Sequence, residues 1–306
     1  MAPLRLPAPL QSRLDATAAE LMSAPGLDVD FSRPAGAPAL TPPDSVSWRI
    51  FKNPVSLYIG GVAAVLLELA EPRVRAGVWD HTSFRTDPVT RMRRTGLAAM
   101  VTVYADRETA GRMIAGVNRR HARITGVADD GAAYAADDPE LLDWVQATAS
   151  FGFIGAYHSF VAPLSPAERD RAWAEAGPAA ALYGARNSLA SEADWRGVLD
   201  AMEPNLGPSP VLEEFLAIMR KAHALPSAGR LAQPMLIRAA VDLLPDRLQA
   251  KLELAGHGLR AVERPLVRAM GAAADRLVLE RAPPARACVR MGLPAEWLYR
   301  NERIAA

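Results

Sequence analysis

From Val46 onward the chain reads as one helix after another, and this succession constrains its fold more than any other feature. No run of alternating apolar and polar residues between turn signals asks for a sheet. Apolar positions recur at helical spacings, and Pro54, Pro72 and Pro88 stand where a first turn tolerates proline. The pattern predicts helices over 54–70, 72–80, 87–103, 106–122, 138–161, 165–183, 191–204, 208–223, 231–240, 245–263, 264–277 and 283–292. Ser165-Pro166-Ala167-Glu168 is a capping-box pattern, Asp106 can cap the 106–122 helix, and Gly126 and Gly131 bracket a turn after it. Residues 1–45 differ. They predict a short amphipathic helix near Leu14–Met22 and then an arm drawn out by Pro34, Pro38, Pro42 and Pro43, since the residue before a proline is pushed to extended geometry. The expected fold class is all-α. A single multi-helical domain over 46–292 is expected, with a core of 46–205, a C-terminal helical layer of 206–292 beginning near Pro204–Pro210, and a tail of 293–306.

Half of the 306 residues are hydrophobic, enough for a large core. The net charge of +1 argues against nucleic acid or an anionic membrane held by bulk charge. The lone Cys288 rules out an intramolecular disulfide, a CxxC zinc pair and a CxxCH haem attachment, and reads as a small buried filler. The most apolar stretch, Val55 to Leu67, is interrupted by Gly60 and Gly61 and followed by Glu68 and Glu71. A bilayer span needs about 20 apolar residues, so a buried helix is expected, with no transmembrane segment. Met1 to Arg13 lacks an apolar signal core, and a cytoplasmic location is expected.

Two groups of residues could carry chemistry. Ala110, Met113, Ile114, Val117 and His121 share one helical face, which turns His121 inward. Such an imidazole is either a neutral core histidine bonded to a backbone carbonyl or a ligand of a metal or haem iron. Arg91 and Thr95 lie one turn apart. They form either a solvated basic helix start or an anchor for a ligand carboxylate, with a hydroxyl beside it. There is no Glu-x-x-His, His-Glu-x-x-His, Walker A loop or Gly-x-Ser-x-Gly. His81 is expected to cap the helix ending at Asp80. His158, among Phe151, Phe153, Tyr157 and Phe160, reads as core or as the wall of a flat ligand. Glu68 and Glu71 read as a solvated helix end, either one a base if it faced a pocket.

A family resemblance runs through these residues. It is carried by Leu66 to Asp80 (LLELAEPRVRAGVWD), His81-Thr82-Ser83-Phe84, Asp87-Pro88, Arg91-x-x-x-Thr95, Val101-x-Val103-Tyr104 and His121-x-x-Ile124-x-Gly126. Tyr134-x-Ala-x-Asp138-Pro-x-Leu-Leu-x-Trp144-Val-x-Ala-Thr148 and Ser165-x-x-Glu168-x-Asp170 continue it. The chain resembles the family that groups latex-clearing proteins (rubber oxygenases) with the fungal mycophenolic-acid-pathway oxygenase, over roughly residues 46 to 205. The resemblance implies a globin-like helical core that binds haem b, with His121 as the iron ligand and Arg91 and Thr95 close to the haem. It also implies dioxygen as co-substrate and the carbon–carbon double bonds of isoprenoid chains as the point of attack.

Departures from the family narrow the expectation. Arg94 stands where rubber oxygenases carry a lysine able to approach the iron, and Glu71-Pro72 stands where many members read His-Pro. Neither the secretion signal nor the membrane anchor of the characterised members is seen, so a small intracellular lipid or terpenoid is expected rather than a polymer. The expected function is a haem b-dependent oxygenase acting with dioxygen on a small apolar alkene. The alternatives are a non-catalytic haem or gas-binding protein and a haem-free helical interaction protein. No redox partner can be named.

Overall fold

The computed structural model describes residues 3–21, 28–225 and 227–300. In chain order its helices are α1 (Ala8–Leu21), α2 (Val46–Phe51), α3 (Pro54–Ala70), α4 (Pro72–Trp79), α5 (Pro88–Tyr104), α6 (Arg107–His121), α7 (Pro139–Phe160) and α8 (Pro166–Tyr183). There follow α9 (Glu192–Met202), α10 (Pro210–Lys221), α11 (Ser227–Arg230), α12 (Gln233–Val241), α13 (Asp246–Lys251), α14 (Glu263–Ala274) and α15 (Pro283–Arg290). Between α6 and α7, β1 (Thr125–Val127) pairs antiparallel with β2 (Ala133–Ala135), Gly126 opposite Tyr134. The fold is therefore all-α.

Local chemistry starts the helices. The side chains of Asn53, Glu71, Asp87 and Asp138 accept from first-turn amides of α3, α4, α5 and α7, each of which has proline in its first turn. Ser165 and Glu168 complete the reciprocal box of α8. These caps leave few orphan amides at the helix starts, so the breaks between helices are sharp.

Helices α3 and α7 form the centre, and glycine sets their approach. A Cβ on Gly152 would lie 2.2 Å from the Gly60 carbonyl oxygen, and one on Gly60 would lie 2.6 Å from that of Gly152. The two backbones touch there, which no other residue permits. Helix α14 meets the end of α7 in the same way, with a Cβ on Gly271 falling 2.2 Å from the Phe160 carbonyl oxygen. Asn53 joins α3 to α14: its oxygen caps α3 while its amide donates to the Gly271 carbonyl at 2.9 Å. Next to it the buried Lys52 ammonium donates to the Asp275 carbonyl at 2.7 Å and pairs with the Asp275 carboxylate at 3.1 Å.

The main core cluster runs from Val46 to Val267 and draws on both sides of Pro204–Pro210, with Leu66 and Leu67 joined by Phe215, Leu216 and Ile237. A second cluster gathers Phe31, Trp48, Leu97, Met100, Val101, Tyr104 and Cys288. Residues 28–45 cover it. Arg290, only 1% exposed, donates to the carbonyls of Ala37 and Phe31 at 2.9 Å each, and Gly36 returns a bond to the Arg290 carbonyl at 2.7 Å. Burial pushes the Cys288 thiol up to about 12, which leaves it unreactive filler as expected.

Some elements differ from the sequence reading. The helix expected over 245–263 stops at Lys251, because Glu253 and Gly256 take left-handed geometry (φ 58° and 85°) that a right-handed helix cannot contain. The signal for this break was Gly256-His257-Gly258. The hairpin was not expected either; three residues per strand give no alternation to read. Gly126 permits it, since a Cβ there would lie 2.6 Å from the Tyr134 hydroxyl. Helix α1 begins at Ala8 rather than Leu14, and Met22 lies outside the described residues.

Candidate functional site

Helix α3 is closed in on nearly every side, yet Leu57, Tyr58, Gly61, Val65 and Glu68 are only half-buried. Their spacing places them on one stripe. A Cβ on Gly61 would meet no atom within 4 Å, so open space stands before the middle of the most apolar helix. Helix α5 has a matching stripe. Its Leu97, Met100, Val101, Val103 and Tyr104 are buried, whereas Arg91, Thr95, Ala98 and Thr102 are half-buried or exposed along the opposite face. At one end Leu57 packs against the α5 cluster, and at the other the Arg91 charge acts on Glu68. The space before α3 thus forms a cleft that Gly61 and Glu68 line and that the Arg91 charge reaches. The Thr102 hydroxyl lies 3.1 Å from that of Tyr183 and ties α5 to the end of α8.

Arg91 and Thr95 meet as their spacing predicts. The Arg91 guanidinium donates to Thr95 Oγ1, and that hydroxyl donates to the Arg91 carbonyl at 3.0 Å. Burial pulls the Arg91 pKa down and Glu68 opposes the shift. Arginine nevertheless stays charged.

Glu68 is half-buried on the open face of α3. Burial therefore raises its pKa to about 7, against the pull of Arg91 and of the Thr148 hydroxyl from α7. Glu71 behaves differently and corrects the expectation of a solvated helix end. It is 1% exposed, accepts from the Val74 amide at 2.7 Å as the cap of α4, and pairs with Arg73 Nε at 2.7 Å. Its carboxylate is committed to structure.

His121 is the last residue of α6, whose start Asp106 caps through the amides of Glu108 and Thr109. Ala110 and Ile114 are buried, whereas Met113, Val117 and His121 are half-buried, so the apolar stripe opens toward the imidazole. Nδ1 is buried without a partner. Nε2 makes no hydrogen bond and remains open. The carbonyl partner that a plain core histidine needs is not there. Burial and then Arg91 lower the pKa, with Asp137 opposing, so the ring is neutral at pH 7. Arg91 is therefore the charge that both Glu68 and His121 feel.

His81 and His158 are occupied. His81 is exposed and its Nε2 lies 3.1 Å from the Tyr134 hydroxyl rather than capping α4. His158 Nδ1 accepts from the Leu164 amide at 3.0 Å, so this ring holds the α7–α8 turn. Arg94 is exposed. The sequence reading missed Tyr58 and Gly61 as site residues, and it had Thr148 only as part of a motif, with no role beside Glu68. The 58/61/65/68 spacing was visible, but on a helix apolar all round it did not say which face opens.

Among the described residues, no group of three or more His, Cys, Asp and Glu could hold a metal ion. A prosthetic group that brings its own donors needs only one protein ligand, and a neutral imidazole with one open and one orphaned nitrogen, within reach of the Arg91 charge, fits that need. No single described helix is long and apolar enough to cross a membrane; α3 and α4 pass that test only as a pair bent by 113°.

Residues 48–276 match the family described as ER-bound oxygenase mpaB/B'/Rubber oxygenase, catalytic domain. No curated protein and no solved structure matches the chain.

Proposed function

This chain belongs to the mpaB/B' and rubber oxygenase catalytic-domain family, hence to a family of oxygenases, and we propose that it depends on haem b and uses dioxygen on a small apolar alkene of isoprenoid or lipid type. The observation that carries the haem reading is the neutral, unpartnered imidazole of His121, which feels the same Arg91 charge as Glu68. His121 would hold the iron through Nε2, with Arg91 and Thr95 bordering the group. When bound, the haem supplies the activation of dioxygen.

The chain's own residues do the rest. Arg91 brings a permanent positive charge that can stabilise negative charge developing on oxygen, and Thr95 holds its guanidinium in place. Glu68, with its pKa near 7, gains and loses a proton close to neutral pH and suits the removal of an allylic proton. Leu57, Val65 and the bare Gly61 offer the alkene an apolar bed that excludes water.

Absorption spectroscopy tests the cofactor. The protein supplemented with haem should show a Soret band that His121→Ala loses, and a colourless wild-type preparation would refute the assignment. Oxygen uptake that requires an added isoprenoid alkene tests the substrate class.

A further inference from the structure

Tyr58 has a hydroxyl that is buried and has no hydrogen-bond partner. An unpaired buried hydroxyl costs free energy, and each one in a native structure calls for an explanation. Its place on α3 supplies one. Tyr58 shares the half-buried stripe with Gly61, Val65 and Glu68, and Gly61 faces open space. Ten residues separate Tyr58 from Glu68, roughly 15 Å along the helix axis. The stripe therefore carries a hydrogen-bond donor toward one end, a proton-exchanging carboxyl at the other, and an apolar stretch between them.

We propose that Tyr58 binds the oxygen-bearing end of an elongated apolar substrate and so selects oxygenated isoprenoid or acyl lipids over hydrocarbons. The proposal rests on the reading of the cleft as a substrate site and specifies that substrate further. The oxygen it accepts is neutral, a carbonyl or an alcohol. Burial alone raises the pKa of this phenol, with no charged group acting on it. A carboxylate bound there would be buried without a cation, which costs far more than one hydrogen bond returns. The same argument separates this position from the Arg91 end of the cleft, where an anion would find its counter-charge. Seated by its head at Tyr58, such a molecule lays its chain along Gly61 and Val65 and brings a remote double bond to Arg91, Thr95 and Glu68.

The test uses the full chain and three probes of equal length: farnesene, farnesal and farnesoic acid. Dissociation constants are followed by quenching of intrinsic fluorescence. The wild type should bind farnesal about tenfold more tightly than farnesene, the gain expected from one neutral hydrogen bond in a dry site. Farnesoic acid at pH 8 should show no such gain. Tyr58→Phe should bring farnesal down to the affinity of farnesene and leave farnesene unchanged. Gly61→Leu, which fills the space before α3, should weaken all three alike.

A farnesal preference that survives Tyr58→Phe overturns the proposal, as does a wild type that prefers the acid or has no preference. Loss of haem from Tyr58→Phe with unchanged farnesal binding would assign the hydroxyl to the cofactor and also overturn it. Failure of farnesene to bind, with farnesal still bound in a Tyr58-dependent way, would instead strike at the hydrocarbon-binding cleft and leave the head-group site standing. If no probe binds, both fall.

Discussion

Replacing Glu68 by glutamine should stabilise the protein increasingly as pH rises from 4.5 to about 7, and by a constant amount above that. Glu68 has a pKa of about 7 in the folded protein against an ordinary value of 4.5. The folded state thus binds the proton more tightly than the unfolded chain. Whatever stability this group contributes is fully present below pH 4.5 and lost as pH rises through 7. At 1.36 kcal/mol per pH unit, the interval corresponds to about 3 kcal/mol lost by pH 8. Glutamine keeps the shape of the protonated side chain and has no charge to bury. Urea titrations of Glu68→Gln and wild type at pH 4.5 and pH 8 should therefore give equal stabilities at the lower pH and a gain of about 3 kcal/mol for the variant at the higher. Other carboxyl groups are common to both proteins and cancel. A gain of the same size at both pH values would refute the reasoning, because it would mean packing rather than ionisation. A loss at pH 8 would mean that Arg91 and Thr148 hold the carboxylate charged, and the proposed base would then be a fixed anion.

Two further expectations concern the frame of the site. Gly152→Ala forces a methyl group onto the Gly60 carbonyl and should cost at least about 3 kcal/mol, whereas Gly61→Ala meets open space and should gain about 0.5–1 kcal/mol from the stiffer helix. Thermal unfolding of the two variants checks both, and equal effects would show that α3 does not open where Gly61 lies. His158 accepts the Leu164 amide as a neutral ring, and burial lowers its pKa. Its contribution of about 1 kcal/mol should be present above pH 6.5 and fade as pH falls through the depressed value, so His158→Ala should cost more at pH 8 than at pH 5.

The helical body was legible because its signals are local. Proline in the first turn, a capping side chain and i, i+4 spacing each act within one turn of chain, and the starts of α3, α4, α5, α7 and α8 follow from them. The pairing of Arg91 with Thr95 was readable for the same reason. The inward turn of His121 was half readable: the stripe pointed it inward, but the opening of that stripe toward the ring depends on what surrounds the end of α6.

Glu68 and Glu71 show where local reading ends. Three residues apart on one helix end, they looked equivalent, yet one caps the next helix and the other is half-buried on the open face of α3 with its proton held to about 7. The sequence by itself determined that this chain folds as helices, where most of them begin, and which polar side chains share a face. Tertiary structure alone decided which face of α3 stays open, because a helix apolar all round has no preferred side until its neighbours arrive. It also decided which carboxyl titrates, since a pKa depends on the depth and charge of surroundings brought together from α3, α5 and α7.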